Sequence, residues 1–270
     1  MNIELKIKQT IKKYKICNKK EKIVVALSGG KDSTTTAYIL KKLGYNLVGL
    51  HIDLGLGEYS EKCLEAVKKL CKLLKITLKV VSIKKMYGCR MCYIRAKVQE
   101  KKKVANCLVC GVIKKWIMNR EARNMKADKI ATGHNLDDEC QTFLSNVFKG
   151  SLMLSSNSGP ISRNLPDSKR KFIPRIKPLF FIPENEIRKF SKKMKLPVVY
   201  EKCPCAVDSY RIQIREFLNT ISDKEKENII KNAERIIEKL ERKNPEIRYC
   251  SECGEPSRNM ICKRCELLKD

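Results

Sequence analysis

The chain has 270 residues, 43% hydrophobic and 33% charged, which excludes a disordered protein and leaves room for one large domain or two unequal ones. No run approaches the roughly 18 uninterrupted apolar residues of a membrane span. The charged start MNIELKIKQTIKKYK has no apolar signal core either, so a soluble, cytoplasmic protein that is not exported is expected. With 58 Lys+Arg against 30 Asp+Glu, the net charge of +28 points to a polyanionic partner, nucleic acid ahead of a membrane surface, unless the lysines merely solvate the exterior.

Residues 6–20 read as a basic helix. KIVVAL at 22–27 is a short β-branched run between charge and glycine, the pattern of a buried strand. A helical pattern follows over 31–43 and stops at Gly44. The alternation then repeats: strand 46–52, helix 61–74, strand 76–83, helix 111–125, strand 129–132 and helix 136–148. Strands alternating with helices of this length predict a doubly wound α/β fold with a parallel sheet. SLMLSSNSGPISRNLPDSKRK reads as a mobile loop over the carboxyl edge of that sheet. Beyond it, 175–181 reads as a last strand and 184–195 as a helix opened by Pro183. Residues 208–219 and 223–242 read as amphipathic helices, and from 249 the chain becomes a small cysteine-paired module.

Ser28-Gly29-Gly30-Lys31-Asp32-Ser33 lies between the first strand and its helix, where glycines let the backbone approach phosphate and helix-start N–H groups point at it. The spacing is not that of the common nucleoside-triphosphate loop. Gly133-His134-Asn135-Leu136-Asp137-Asp138-Glu139 follows a later strand, so it reaches the same sheet edge, and its paired acids suit Mg²⁺. Asn135 also reads as a helix cap, a role compatible with the first. His51, in HIDLGLGEYS, either packs structurally or faces nucleotide.

Ten of the fourteen cysteines form five close pairs, which without a secretion signal suggests metal, iron–sulfur or catalytic sulfur chemistry over disulfides. Cys107 and Cys110, followed by a basic helix with Lys114, Lys115 and Arg120, pair at a distance with Cys203. Three thiolates are the ligand count of a [4Fe–4S] cluster with one open iron. A Cys107–Cys110 redox disulfide, or a zinc site completed by Cys203 and Cys205, fits the spacing equally. Cys250-x2-Cys253-x8-Cys262-x2-Cys265 forms two knuckles suited to structural Zn²⁺. Cys89 and Cys92 read as a sulfur relay or an accidental pair.

SGGKDS resembles the signature of the PP-loop ATP pyrophosphatase superfamily, with its adenine nucleotide α-hydrolase-like fold. The resemblance implies that Ser28, Gly29, Gly30, Lys31, Asp32 and Ser33 hold pyrophosphate and that Asp32 helps place Mg²⁺. SGGKDS, HIDLGLGEYS, CLVCG, GHNLDDE and a late CP together resemble the archaeal and thermophile tRNA 2-thiouridine synthetases, over roughly residues 20–265. These are relatives of 2-thiocytidine synthetases and cytosolic wobble-uridine thiolases. That likeness implies adenylation of a uridine C2 oxygen by ATP and its replacement by sulfur. It implies a [4Fe–4S] cluster on Cys107, Cys110 and Cys203, with Lys114 and Asp137 assisting near ATP and the base. His51, Gly133, Asp137 and Asp138 join the nucleotide site. The expected partners are tRNA and a sulfur donor, either sulfide or a thiocarboxylated ubiquitin-like carrier, with a homodimer as the assembly and no membrane. An N-terminal zinc module common in the family has no counterpart here, because only Cys17 precedes the loop. The expected units are a basic N-terminal helix at 1–20, the PP-loop domain at 21–182, a helical extension at 183–245 and a zinc module at 246–270. A PP-loop enzyme of other chemistry (amide formation or lysine addition to tRNA) and a non-catalytic metal-containing tRNA-binding protein are the alternatives.

Overall fold

The computed structural model describes residues 2–162, 167–205, 211–239 and 247–269. In chain order these form α1 (Ile3–Tyr14), β1 (Lys22–Ala26), α2 (Lys31–Lys42), β2 (Asn46–Asp53), α3 (Glu58–Leu74) and β3 (Leu78–Ser82). Next come α4 (Ile83–Tyr87), α5 (Met91–Lys101), α6 (Asn106–Asn124), β4 (Lys129–Ala131), α7 (Leu136–Phe148), a 3₁₀ turn (Leu152–Asn157) and β5 (Arg175–Ile176). The chain continues through α8 (Glu184–Lys193), α9 (Arg211–Thr220), α10 (Asp223–Lys239), β6 (Arg248–Tyr249), β7 (Pro256–Ser257) and α11 (Lys263–Leu268).

Five strands pair in the order β3-β2-β1-β4-β5, all parallel, as the doubly wound expectation requires. Parallel pairing buries both faces, so every residue of a central strand must find apolar neighbours. In β1, Ile23 and Val25 pack on one side with Ile7 of α1, Leu40 of α2, Leu70 of α3 and Ile187 of α8. Val24 packs on the other side with Ile113 and Ile117 of α6 and with Leu267 of α11. A third group joins Leu136 and Cys140 of α7 to Ile214 of α9 and Ile230 of α10. The strand order reverses between β1 and β4, and the loops leaving their carboxyl ends face one crevice, where open α/β sheets bind ligands.

Several expectations change. The basic helix expected at 6–20 runs Ile3–Tyr14, capped by Asn2 and ended by Lys15 in a left-handed conformation. Its Ile3, Ile7 and Ile11 are part of the main core. The strand expected over 175–181 stops at Ile176, because Pro178 has no N–H for a ladder and the chain turns. The loop after α7 is partly built, with a 3₁₀ turn against α7 and Ile161 bridging Ile176. The 163–166 part of that loop, the expected helical residues 208–210 and the 240–242 end of the last helix lie outside the described residues. α5 was not expected. α6 begins five residues before Gly111, which sits inside the helix and does not open it.

Candidate active site

β1 ends at Ala26 and the chain turns through Ser28–Ser33 into α2. Gly29 has φ +85°, and a Cβ there would lie 2.9 Å from the backbone of Cys63, so only glycine lets the turn lie on α3. The Ser28 and Ser33 hydroxyls are 3.0 Å apart, the Gly30 N–H donates to Ser28 Oγ at 3.3 Å, and the Ser33 hydroxyl donates to the Gly30 carbonyl at 3.2 Å. The loop is therefore held in shape by its own side chains. Lys31 Nζ pairs with Asp32 Oδ2 at 2.9 Å and with Glu184 Oε1 at 2.8 Å.

The loop after β4 lies directly on this turn: a Cβ on Gly133 would meet Ser33 N at 2.7 Å. Asn135 caps α7 in a reciprocal box with Asp138, and its Nδ2 donates to Asp32 Oδ1 at 3.0 Å. The two neighbouring aspartates then part company. Asp137 accepts from the Glu184 N–H and the Lys226 ammonium, each at 2.7 Å, tying α7 to α8 and α10. Asp138 lines a cavity of about 260 Å³ together with Lys31, Asp32, Glu184, Arg188 and Arg215. Burial, helped by Asp32, raises the Asp138 carboxyl to about 6. Burial also pushes Glu184 upward, but its pairs with Lys31 and Arg215 outweigh this and hold it at about 2. Glu184, Arg188 and Arg215 carry no motif, and sequence reading missed them. His51 does not line the cavity. Its ring is buried, Nδ1 lies 2.8 Å from the Leu27 carbonyl, Nε2 has no partner among the described residues, and burial lowers its pKa.

Cys107 stands in the first turn of α6 and Cys110 at the start of the second, and Lys114 follows one turn on. Burial raises the Cys110 thiol, Arg95 and Lys114 oppose this, and Cys107 and Cys203 lie near enough to add to it. These three sulfurs do not gather as tightly as the ligands of a single ion. They do form a three-thiol donor set across two segments, which suits a larger cluster whose thiolates bind different irons. The segment bearing Cys203 is pinned to the phosphate loop, because the Val199 N–H donates to the Gly29 carbonyl at 2.9 Å. Tyr200 and Glu201 then line the cavity just before Cys203. Cys205 accepts a hydrogen bond from Arg95 of α5 at 2.9 Å, and Cys92 is exposed on the same helix.

The C-terminal module is tighter. The sulfurs of Cys250, Cys253, Cys262 and Cys265 all lie within 4.8 Å of one another, a geometry able to hold one metal ion. The Cys262 N–H points at Cys250 Sγ at 3.2 Å and the Cys265 N–H at Cys262 Sγ at 3.5 Å. The module docks on α6: Glu255, buried, binds Arg123 and Asn119, and the Arg264 guanidinium stacks on Trp116 at 4.5 Å.

Among the described residues, no helix is long and apolar enough to cross a membrane. A PP-loop domain family model matches residues 1–221. A tRNA-5-methyluridine(54) 2-sulfurtransferase of Pyrococcus horikoshii is 39% identical over 97% of this chain and 83% of that protein. Cytoplasmic tRNA 2-thiolation protein 1 of Drosophila melanogaster is 34% identical over 98% of this chain and 78% of that protein. The U34-tRNA thiolase NcsA of Methanococcus maripaludis, solved with its [4Fe-4S] cluster, superposes with a TM-score of 0.80 at 28% identity, covering 98% of this chain and 85% of that one.

Proposed function

The chain belongs to the PP-loop domain family and, within it, to the tRNA 2-thiolation proteins, and from that premise we propose that it is an ATP-dependent tRNA sulfurtransferase making 2-thiouridine. The uridine O2 attacks the α-phosphorus of ATP and pyrophosphate leaves. A sulfur anion then adds at C2, and AMP departs with the former O2 atom. Ser28, Gly29, Gly30 and Ser33 offer N–H and hydroxyl groups to the leaving pyrophosphate, and Lys31 offers its charge. Asp32 and Asp138, on two loops facing one cavity, are the pair for Mg²⁺. Asp137, beside ATP on this reading, also fixes α8 and α10 around that cavity through the Glu184 N–H and Lys226. Cys107, Cys110 and Cys203 would hold a [4Fe–4S] cluster, and when bound it supplies a Lewis-acidic iron without a protein ligand. Lys114 stands beside Cys110 to neutralise charge there. Cys250, Cys253, Cys262 and Cys265 would hold structural Zn²⁺. Sulfide or a thiocarboxylated carrier supplies the sulfur. The +28 charge suits docking of tRNA through its phosphates, in the cytoplasm, by a homodimer.

The observation that supports this reading best is the Val199–Gly29 hydrogen bond, which ties the Cys203 segment to the phosphate loop; on this reading activation and sulfur transfer occur side by side. The test is anaerobic reconstitution with iron and sulfide, then incubation with ATP, Mg²⁺, sulfide and unmodified tRNA, read by nucleoside mass spectrometry. The expected product is a 2-thiouridine nucleoside that requires both ATP and iron, and nuclease mapping names its position. Cys107→Ala, Cys110→Ala and Cys203→Ala each abolish thiolation while ATP binding persists. Full thiolation without iron, or by all three variants, would remove the cluster from the reading. AMP formation with no thionucleoside would favour a PP-loop enzyme of other chemistry.

A further inference from the structure

Arg95 projects from α5 into the space between the cysteine-bearing segments. It is 5% exposed, and among the described residues its buried Nε has no hydrogen-bond partner. One terminal nitrogen donates to Cys205 Sγ at 2.9 Å; burial works against its charge, and the sulfurs of Cys205, Cys110 and Cys92 work in its favour. Among the described residues, no carboxylate pairs with it. A guanidinium keeps its proton even when buried, and a buried cation without a counter-charge is strongly disfavoured. Its surroundings therefore call for an anion, and among the described residues the candidates beside it are sulfurs. Cys110 is committed to iron in the reading above. Cys205, two residues past Cys203, is left over from that ligand set. With three thiolates and a bound sulfide the centre would carry net negative charge, and a fixed cation at its edge would stabilise that state.

We propose that Arg95, steadied by Cys205, is the anion anchor that positions the incoming sulfur, a hydrosulfide ion or a thiocarboxylate terminus, beside the three-cysteine centre. The inference rests on the sulfurtransferase reading and names the residue that recognises its sulfur substrate. The fork of Arg95 keeps one arm on Cys205 and leaves Nε–H free for the ligand. Arg95 is a positioning residue here, since the bond-making falls to the sulfur and the activated C2.

The test uses full-length, cluster-reconstituted protein as wild type, Arg95→Gln and Arg95→Lys. Iron content and thermal midpoint are recorded first. Sodium hydrosulfide and, separately, a peptide ending in a glycine thiocarboxylate are then titrated, with the EPR spectrum of the reduced centre as readout. Expected is normal iron loading in both variants and a half-saturation for sulfur raised about tenfold or more in Arg95→Gln, partly restored in Arg95→Lys. In turnover assays the loss falls on KM for the sulfur donor, with kcat little changed. A shift with hydrosulfide alone identifies the free ion as the ligand, and a shift with the peptide alone identifies a carrier terminus. Unchanged half-saturation for both, with iron in place, overturns the inference and leaves the sulfurtransferase reading standing. Equal loss of iron from both variants, with unchanged sulfur affinity per centre, marks a packing role and likewise overturns it. A wild-type chain that takes up no iron overturns the inference and removes the cluster from the reading it rests on.

Discussion

The molecule holds two groups of cysteines built on opposite plans. Cys250, Cys253, Cys262 and Cys265 come from two short knuckles 16 residues end to end, and their sulfurs already lie within 4.8 Å of one another. Backbone N–H groups point at those sulfurs, so the local chain supplies both ligands and their orientation. Cys107, Cys110 and Cys203 come from α6 and from a segment nearly a hundred residues later, and they stay more loosely spaced. What holds the second group together is not its own sequence but the sheet, α6 and the Val199–Gly29 bond. A closed site made by neighbours suits a fixed ion, whereas an open one assembled by the fold suits exchange with substrate.

That contrast can be broken most sharply by substitution. Cys262→Ala is expected to cost about 4 kcal/mol or more, since it removes a ligand of the proposed metal site and frees the Glu255 and Arg264 contacts with α6. Cys110→Ala should leave the melting temperature of the metal-free chain nearly unchanged while abolishing thiolation, and calorimetry on both variants checks the pair. A next smaller effect is expected from Gly133→Ala, whose Cβ would press on Ser33 N at 2.7 Å. Overpacking of this kind costs about 1–3 kcal/mol. It should also weaken nucleotide binding by calorimetric titration, while metal in the C-terminal knuckles stays put. The smallest effect is expected from Glu184→Gln and shows only against pH. Glu184 falls from its ordinary 4.5 to about 2 because Lys31 and Arg215 outweigh burial. Its stabilisation is therefore complete above pH 4.5 and lost as pH falls towards 2. Urea midpoints of wild type and variant should differ most near neutrality and converge over that interval.

Legibility followed the same divide. SGGKDS and the C-terminal knuckles could be read because their chemistry sits in contiguous residues whose spacing states the geometry. The sheet could be read because β-branched runs alternate with helical ones. Glu184 and Arg215 could not, since a charged residue on a surface helix looks alike whether it faces water or a cavity. Asp137 and Asp138 are neighbours of one type, and only the direction of α7 sends one to Lys226 and the other to the crevice. α5 did carry a signal in Met91, Ile94 and Val98 at helical spacing, but the cysteine pair beside it drew the reading away, and Arg95 went with it. Gly111 looked like a boundary, although a helix anchored at both ends tolerates one glycine inside it.

One consequence lies in the pairing of Lys31 with Glu184, whose two carboxylate oxygens both accept from one terminal nitrogen of Arg215. On the proposed reaction, the phosphate loop behaves as a loaded ion-exchange resin. An arriving triphosphate must elute a carboxylate before it binds Lys31, so its affinity reports a difference between two ion pairs and not the strength of one. The same carboxylate, held ionised, waits at the column's edge to wash pyrophosphate off when the chemistry is done.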